Sequence, residues 1–367
     1  MARRPRPVRF DDKNRPELKR LIPPTDPKYP AVRRRLNVTF GKTLLGYAGM
    51  GALCAFTLWI FGFAFNWQSI WSIIGWSGLF WFGLPVVMWW FCAQIALKLQ
   101  KAVPADPNNP DHARVQRCVD IAFADSGMKY KPPLYASPDK MPNAFATGPI
   151  HRKAVVAFTA GLLDIGLTDE EITAVFAHEL GHVRNYDVAL NSITSLFSMF
   201  FFLTINAGVM SVLGGIGWAR KFFKIGEGGI VANLMQNLLL LPIFWLTSQL
   251  TMVLMMFVVR SRESGADATG AYITGNPCAL ATALQKLADY VKKHRPKSFT
   301  QEFALYQVMR PMMIIDPLFD SNDPQPEALS LWQRIKAFWQ YLKLTHPPVP
   351  ERVEELERMN GGSCPRI

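Results

Sequence analysis

A long stretch without a charged side chain is the feature that most restricts what this chain can form. Residues 43–97 contain no Asp, Glu, Lys or Arg. One membrane-spanning helix needs about 20 mainly apolar residues, so this stretch is long enough for two. The polar sequence NWQS at 66–69 divides it into two predicted spans, 44–65 and 70–97. Residues 43–97 are therefore predicted to form a two-span transmembrane hairpin.

The segment before this hairpin is basic. Residues 1–42 are rich in Lys and Arg, and the uncharged stretch follows them directly. A basic arm can bind nucleic acid or anionic lipid. A basic block placed immediately before a long apolar stretch, however, follows the positive-inside rule of membrane proteins. We therefore predict a cytoplasmic arm that contacts membrane lipid, and no nucleic-acid partner.

Two further uncharged stretches, 188–219 and 228–259, are each long enough to cross a bilayer. Both contain polar interruptions, so two alternatives stay open: full spans, or a hairpin only partly embedded in lipid. In either case the soluble segments before and after them fall on the same, cytoplasmic side. The predicted order is a basic arm, a two-span hairpin, a first soluble part, a second apolar hairpin and a C-terminal helical part: 1–42, 43–97, 98–187, 188–259 and 260–367.

The first soluble part mixes short strands with helices. Three segments bounded by Pro or Gly are predicted as strands: PPLYAS (132–137), NAFAT (143–147) and KAVVAFT (153–159). Residues 112–126 are predicted to be helical. Thr168 and Glu171 form the capping-box pattern that starts a further helix. The fold class is therefore predicted as a mainly α membrane protein with about four apolar membrane segments and an α+β soluble domain.

The motif H-E-x-x-H lies on the helix that begins at this capping box. On a helix, His178 and His182 are neighbours on one face and can present two imidazoles to one metal ion. Glu179 lies beside them and is placed to take a proton from an attacking water. The alternative is a helix-surface pair without metal. Three other histidines have no spaced partners and are predicted to be ordinary surface residues: His112, His151 and His294.

A zinc site needs a third protein ligand. In metzincins a third histidine lies six residues after the second, but this chain has Val188 there. The best candidate is Glu263, which follows the second apolar hairpin. Asp267, four residues later on the same predicted helical face, can orient a ligating imidazole. The alternative for Glu263 and Asp267 is a solvated charge cluster at the membrane edge.

The five cysteines give no metal signal. They are odd in number and scattered: Cys54, Cys92, Cys118, Cys278 and Cys364. This pattern predicts neither a disulfide framework nor a cysteine zinc site, and it fits a reducing compartment.

Four separated motifs together resemble the HtpX-type membrane gluzincins, bacterial zinc metalloproteases related to the CAAX prenyl proteases. In chain order the motifs are NAFATG (143–148), FAHELGH (176–182), RESGAD (262–267) and THPPVPERVEEL (345–356). The resemblance covers most of the chain from about residue 44 onward. It implies a zincin-like catalytic domain, with a small β-sheet beside the H-E-x-x-H helix.

The resemblance also implies roles for individual residues. One zinc ion per chain would be held by His178, His182 and Glu263, with Glu179 as the general base. The strand that begins at Asn143 would bind the substrate backbone by edge-strand addition, which makes substrate-binding residues of Asn143, Ala144 and Phe145. His346 would either support the scissile carbonyl and the developing oxyanion or have a structural role. Arg352 is expected to be an ion-pair partner.

The function expected from these observations is that of a zinc-dependent endopeptidase of the bacterial cytoplasmic membrane. Its catalytic domain would face the cytoplasm, and its polypeptide substrates would be misfolded or damaged membrane proteins, as in a stress response. Two alternatives stay open: a prenyl-protein-processing peptidase, and a non-catalytic membrane adaptor. The sequence does not determine the oligomeric state.

Overall fold

The computed structural model describes residues 29–65, 86–87, 89–187, 230–294, 313–314 and 346–365. The helices are α1 (Tyr29–Phe65), α2 (Cys92–Leu99), α3 (Pro110–Ser126), α4 (Ala160–Asp164), α5 (Asp169–Arg184), α6 (Ile230–Thr274), α7 (Pro277–His294) and α8 (Val349–Asn360). The strands are β1 (Val103–Pro104), β2 (Leu134–Ser137), β3 (Ala144–Thr147) and β4 (Val155–Thr159), and a 3-10 turn spans His151–Lys153.

The chain divides into two compact units, to which α1 and α6 both contribute. The first contains the described residues of Met1–Gly41, Trp90–Ala189 and Val259–Ile367, and the second those of Lys42–Trp89 and Leu190–Val258. In the second unit, Gly46 of α1 lies against Val258 of α6.

The predicted membrane segments are described only in part. Most of the predicted span 70–97 and all of 188–219 lie outside the described residues. Within the ranges given above, no helix combines the length and the sustained apolar character that crossing a membrane requires.

The first unit contains a four-stranded mixed sheet in the order β1-β2-β4-β3. The central pair, β2 and β4, is parallel, and each outer strand runs antiparallel to its neighbour. All three predicted strands are therefore confirmed, and β3 lies at one edge. Helices α3 and α5 pack on the sheet through one apolar core that includes Val119, Phe158 and Phe176. This core fixes α5 relative to the edge strand.

The start of α5 is confirmed at the predicted capping box. The Thr168 side chain accepts a hydrogen bond from the Glu171 backbone N–H, and the Glu171 carboxylate accepts one from the Thr168 N–H. Such a cap typically contributes about 1 kcal/mol. Glu171 also pairs with Lys286 of α7 at 2.8 Å. The capping box thus fixes the helix start and ties α5 to α7.

The cysteine pattern predicted no disulfide, but the structure joins Cys278 of α7 to Cys364 just after α8. The number and the spacing of the cysteines gave no sign of this bond, because Cys278 and Cys364 meet only when α7 and α8 pack together. Among the described residues, Cys92 and Cys118 are free. The disulfide therefore ties the end of α8 to the start of α7.

Reduction of this disulfide is expected to lower the free energy of unfolding by about 4 kcal/mol, because 86 residues separate the two cysteines and the open chain regains loop entropy. Urea denaturation with and without dithiothreitol measures the difference. The double variant Cys278→Ser/Cys364→Ser should be equally unstable in both conditions, whereas Cys118→Ala should keep the response to dithiothreitol. An identical unfolding midpoint for oxidised and reduced wild type would contradict the expectation.

Candidate metal centre

Two helices of the first unit supply the predicted site. Helix α5 carries His178, Glu179 and His182, and α6 carries Glu263 and Asp267. The carboxylates and His178 are buried, while the His182 side chain retains 15% of its exposure. The site is therefore enclosed except on the side of His182.

The helices cross so closely that only small residues fit between them. A Cβ atom added to Gly270 of α6 would lie 3.0 Å from the backbone nitrogen of His178. A Cβ added to Gly181 of α5 would lie 3.2 Å from the carbonyl oxygen of Ala266. The near-contact of the two backbones is what lets the short Glu263 side chain reach both histidines.

His178, His182 and Glu263 each direct one ligand atom at a common point. The two Nε2 atoms are 3.2 Å apart, His182 Nε2 is 3.4 Å from Glu263 Oε1, and His178 Nε2 is 3.7 Å from Glu263 Oε2. Ligands about 2.0–2.1 Å from a tetrahedral zinc ion lie about 3.3 Å from one another. Glu263 Oε2 is buried and has no hydrogen-bond partner among the described residues. Two imidazoles and one carboxylate at this spacing fit a zinc ion.

The outer nitrogen of His178 is held by Asp267. The His178 Nδ1 atom lies 2.8 Å from Asp267 Oδ1, and Arg352 of α8 donates to both Asp267 oxygens at 2.7 and 2.9 Å. Burial alone would raise the pKa of Asp267, but the guanidinium and the imidazole keep that pKa well below its usual range. Asp267 therefore stays ionised and leaves His178 Nε2 free to face the metal position.

The equivalent partner of His182 is Asp187, which the sequence reasoning missed. Asp187 is 1% exposed, and its Oδ2 lies 2.7 Å from His182 Nδ1. Its other oxygen pairs with Arg262, which also donates to the Asn185 carbonyl at 3.0 Å. Two signals were available: an acidic residue one turn after the second histidine, and an arginine next to Glu263. Neither signal indicates by itself that Asp187 contacts both His182 and Arg262.

Burial and neighbouring carboxylates shift the pKa values of the three candidate ligands. Burial lowers the pKa of His178 to about 4, which makes this imidazole neutral and ready to bind a metal. Burial alone would also lower the pKa of His182, but Glu263 and Asp187 outweigh it and raise that pKa to about 9. The pKa of Glu263 rises to about 7, again because of burial. The carboxyl groups of Glu263 and Asp187 both lie next to His182, and their negative charge favours a cation at this position.

Glu179 lies between the metal position and the edge strand. Burial raises its pKa to about 7, close to the value at which a carboxylate can both take and return a proton near neutral pH. Its Oε2 accepts a hydrogen bond of 2.8 Å from the backbone N–H of Ala146. The predicted base is thus fixed against β3.

The predicted substrate strand is present, but its side chains point elsewhere. The Asn143 carbonyl accepts from Thr159 N–H, so alternation directs the backbone groups of Ala144 and Ala146 away from β4, to the side of β3 where the described part of the chain has no further strand. The Asn143 amide oxygen accepts from the Ile314 N–H at 3.0 Å, and Phe145 is 2% exposed in a separate small core. The backbone groups of Ala144 therefore lie on the outer side of β3, whereas the Asn143 side chain is hydrogen-bonded to Ile314 and the Phe145 side chain is packed in the small core.

His346 lies beside the cluster. Its Nε2 is 3.6 Å from Glu263 Oε1, and the residue is 5% exposed. Of the histidines predicted to be surface residues, His112 accepts from Asp106 N–H and His294 stacks on Tyr290. His151, in contrast, lies close to the centre and shares a recess with His182.

Comparison with known proteins gives consistent results. The profile of Peptidase family M48 matches residues 109–360. Proteins named "Protease HtpX homolog" are similar over most of their length: that of Caldanaerobacter subterraneus is 29% identical over 84% of this chain and 92% of its own, and that of Persephonella marina is 33% identical over 74% and 82%. That of Campylobacter concisus is 31% identical over 76% and 84%. Among solved structures, S. mikatae Ste24p has a TM-score of 0.47 and 19% identity, covering 88% of this chain and 66% of that one.

Replacement of Gly270 by Ala is expected to weaken zinc binding about tenfold, because the added methyl group forces α6 away from His178. The overpacking should also lower the free energy of unfolding by about 1–3 kcal/mol. Competition with a chromogenic chelator measures the zinc affinity, and urea denaturation measures the stability. The matched control is Gly362→Ala, where the added methyl meets open space. Equal zinc affinity in both variants would show that the close crossing does not hold the ligands together.

Proposed function

The chain belongs to peptidase family M48, and from this we propose that it is a zinc-dependent endopeptidase in which Glu179 is the general base. The family makes the chain a metalloprotease that acts on polypeptides. One observation carries the finer proposal: two imidazoles and a carboxylate converge on one point, and Glu179 is hydrogen-bonded to β3, which is an edge strand among the described residues. These are the components that hydrolysis of a peptide bond in an extended segment requires.

Each part of the site has a distinct role in this proposal. A zinc ion held by His178, His182 and Glu263 would supply Lewis-acid polarisation of the scissile carbonyl. Glu179 takes the proton of the attacking water and returns it to the leaving amine, which its raised pKa favours. His346, next to Glu263, is placed to support the carbonyl oxygen as negative charge develops there.

The edge strand orients the substrate. A peptide segment added beside β3 would hydrogen-bond the outward backbone groups of Ala144 and the carbonyl of Ala146, because the Ala146 N–H already donates to Glu179. Since Glu179 accepts from the Ala146 N–H, the same strand that holds the substrate also holds the base. This arrangement brings the peptide bond to the carboxylate through backbone contacts, which suits a protease that acts on unfolded segments.

We further propose a multi-pass position in the bacterial cytoplasmic membrane, with the first unit in the cytoplasm. The uncharged stretches and the preceding basic arm support it. Misfolded or damaged membrane proteins are the proposed substrates. In the described part of the chain no contact favours prenylated substrates over ordinary peptides.

Replacement of Glu179 by Gln is expected to reduce cleavage of an unfolded protein by about 10³-fold or more while one zinc ion per chain is retained, because the amide cannot accept the proton. Glu263→Ala should instead lose the zinc. Mass spectrometry of the cleavage products and metal analysis of the same samples separate the two effects. Glu170→Gln removes an exposed acid from the same helix and should change neither. Undiminished proteolysis by Glu179→Gln would refute the proposed mechanism.

A cysteine introduced at Glu354, an exposed position of α8, is expected to resist a membrane-impermeant maleimide in intact spheroplasts and to react after lysis. The background is a variant without its natural cysteines. Labelling before lysis would place the first unit outside the cytoplasm. In the cytoplasm the Cys278–Cys364 pair would be held as thiols and would form the observed disulfide on oxidation.

A further inference from the structure

A recess opens beside the candidate metal ligand His182. Seven residues line it: Gly148, Pro149, Ile150, His151, His182, Val183 and Tyr186. Gly148 directly follows β3, so the recess lies at the end of that strand. None of these residues is an acid, a lysine or an arginine, and three of them are aliphatic or proline. The recess is therefore part of the same cleft as the metal centre, and its walls are largely apolar.

Tyr186 forms one wall of the recess and has an unusual backbone. Its φ of 59° lies in the left-handed region, which is unfavourable for a residue with a side chain. Such strain persists only where the surroundings fix it, and it concentrates at functional sites. Here the next residue, Asp187, is held by His182 and Arg262. The bend that brings Asp187 back to His182 also turns the Tyr186 ring outward.

The Tyr186 ring stacks on His151. The ring centroids are 4.0 Å apart and the planes differ by 20°, while Tyr186 remains 53% exposed. The Nε2 atom of His151 is buried and has no hydrogen-bond partner within the described ranges. A buried polar atom without a hydrogen-bond partner costs free energy. Stability alone therefore does not explain why His151 lies in this position.

The direction of the edge strand tells which part of a substrate would reach the recess. A segment added antiparallel to β3 runs from the Thr147 end towards the Ala144 end. Its residues before the cleaved bond then lie beside the end of β3 and Gly148, where alternate side chains point to the cleft. We propose that the recess binds an apolar side chain of the substrate on the N-terminal side of the cleaved bond, with the His151–Tyr186 stack as its wall. This inference rests on the proposed peptidase function.

The test compares two peptides that differ only in the residue before the cleaved bond, Leu or Gly. The wild type should cleave the Leu peptide with the higher kcat/KM. In Tyr186→Asn, which keeps a residue tolerant of the left-handed conformation, the Leu-to-Gly ratio should fall roughly tenfold, and His151→Ala should lower it in the same direction. Zinc content, measured on the same samples, should stay at one ion per chain. A loss of zinc would lower kcat/KM for both peptides equally and would leave their ratio unchanged.

The chain offers a matched control in α7, where Tyr290 and His294 stack with centroids 4.0 Å apart and planes 23° from parallel. Tyr290→Asn removes a similar stack away from the cleft and should leave the ratio unchanged. An unchanged ratio in either Tyr186→Asn or His151→Ala overturns the inference. Absence of cleavage by the wild type, or cleavage that survives Glu179→Gln, overturns the proposed function and this inference with it.

Discussion

The close crossing of α5 and α6 is the constraint on which the site depends. Glu263 has a short side chain, and it reaches both imidazoles only because Gly181 and Gly270 let the two helix backbones approach within van der Waals distance. A larger residue at either glycine would separate the helices, since close-packed interiors transmit added volume as displacement. The H-E-x-x-H motif supplies two ligands by local spacing, whereas the third depends entirely on this contact.

The buried charged residues around the centre form two series, each made of a histidine, a carboxylate and an arginine. His178 is followed by Asp267 and Arg352, and His182 by Asp187 and Arg262. Burial would raise the pKa of Asp267, and the Arg352 guanidinium keeps that pKa low. Asp187 is paired with Arg262 in the corresponding position. Each carboxylate lies against Nδ1 of its histidine and leaves Nε2 directed at the candidate metal position.

Local sequence signals predicted the parts of this site but not all of their connections. The capping box at Thr168 and the strand at 144–147 were predictable because each depends on neighbouring residues. Asp187 was missed because its contact with His182 depends on the backbone bend at Tyr186 and on the packing of Arg262 of α6 against it. His151 was assigned to the surface for a similar reason: its stacking partner follows α5, far away in sequence. Contacts made by tertiary packing leave no periodic pattern to find.

The edge strand and the metal centre are parts of one hydrogen-bonded network. The backbone of Ile314 accepts from Arg352 at 2.8 Å through its carbonyl and donates to the Asn143 side chain at 3.0 Å through its N–H. Asn143 precedes β3, and Arg352 holds Asp267, which holds His178. Ile314 thus connects two parts of the site. One is β3, the strand that would bind the substrate, and the other is the series of residues that orients His178. A displacement of Ile314 would therefore change both the register of the substrate and the direction of His178.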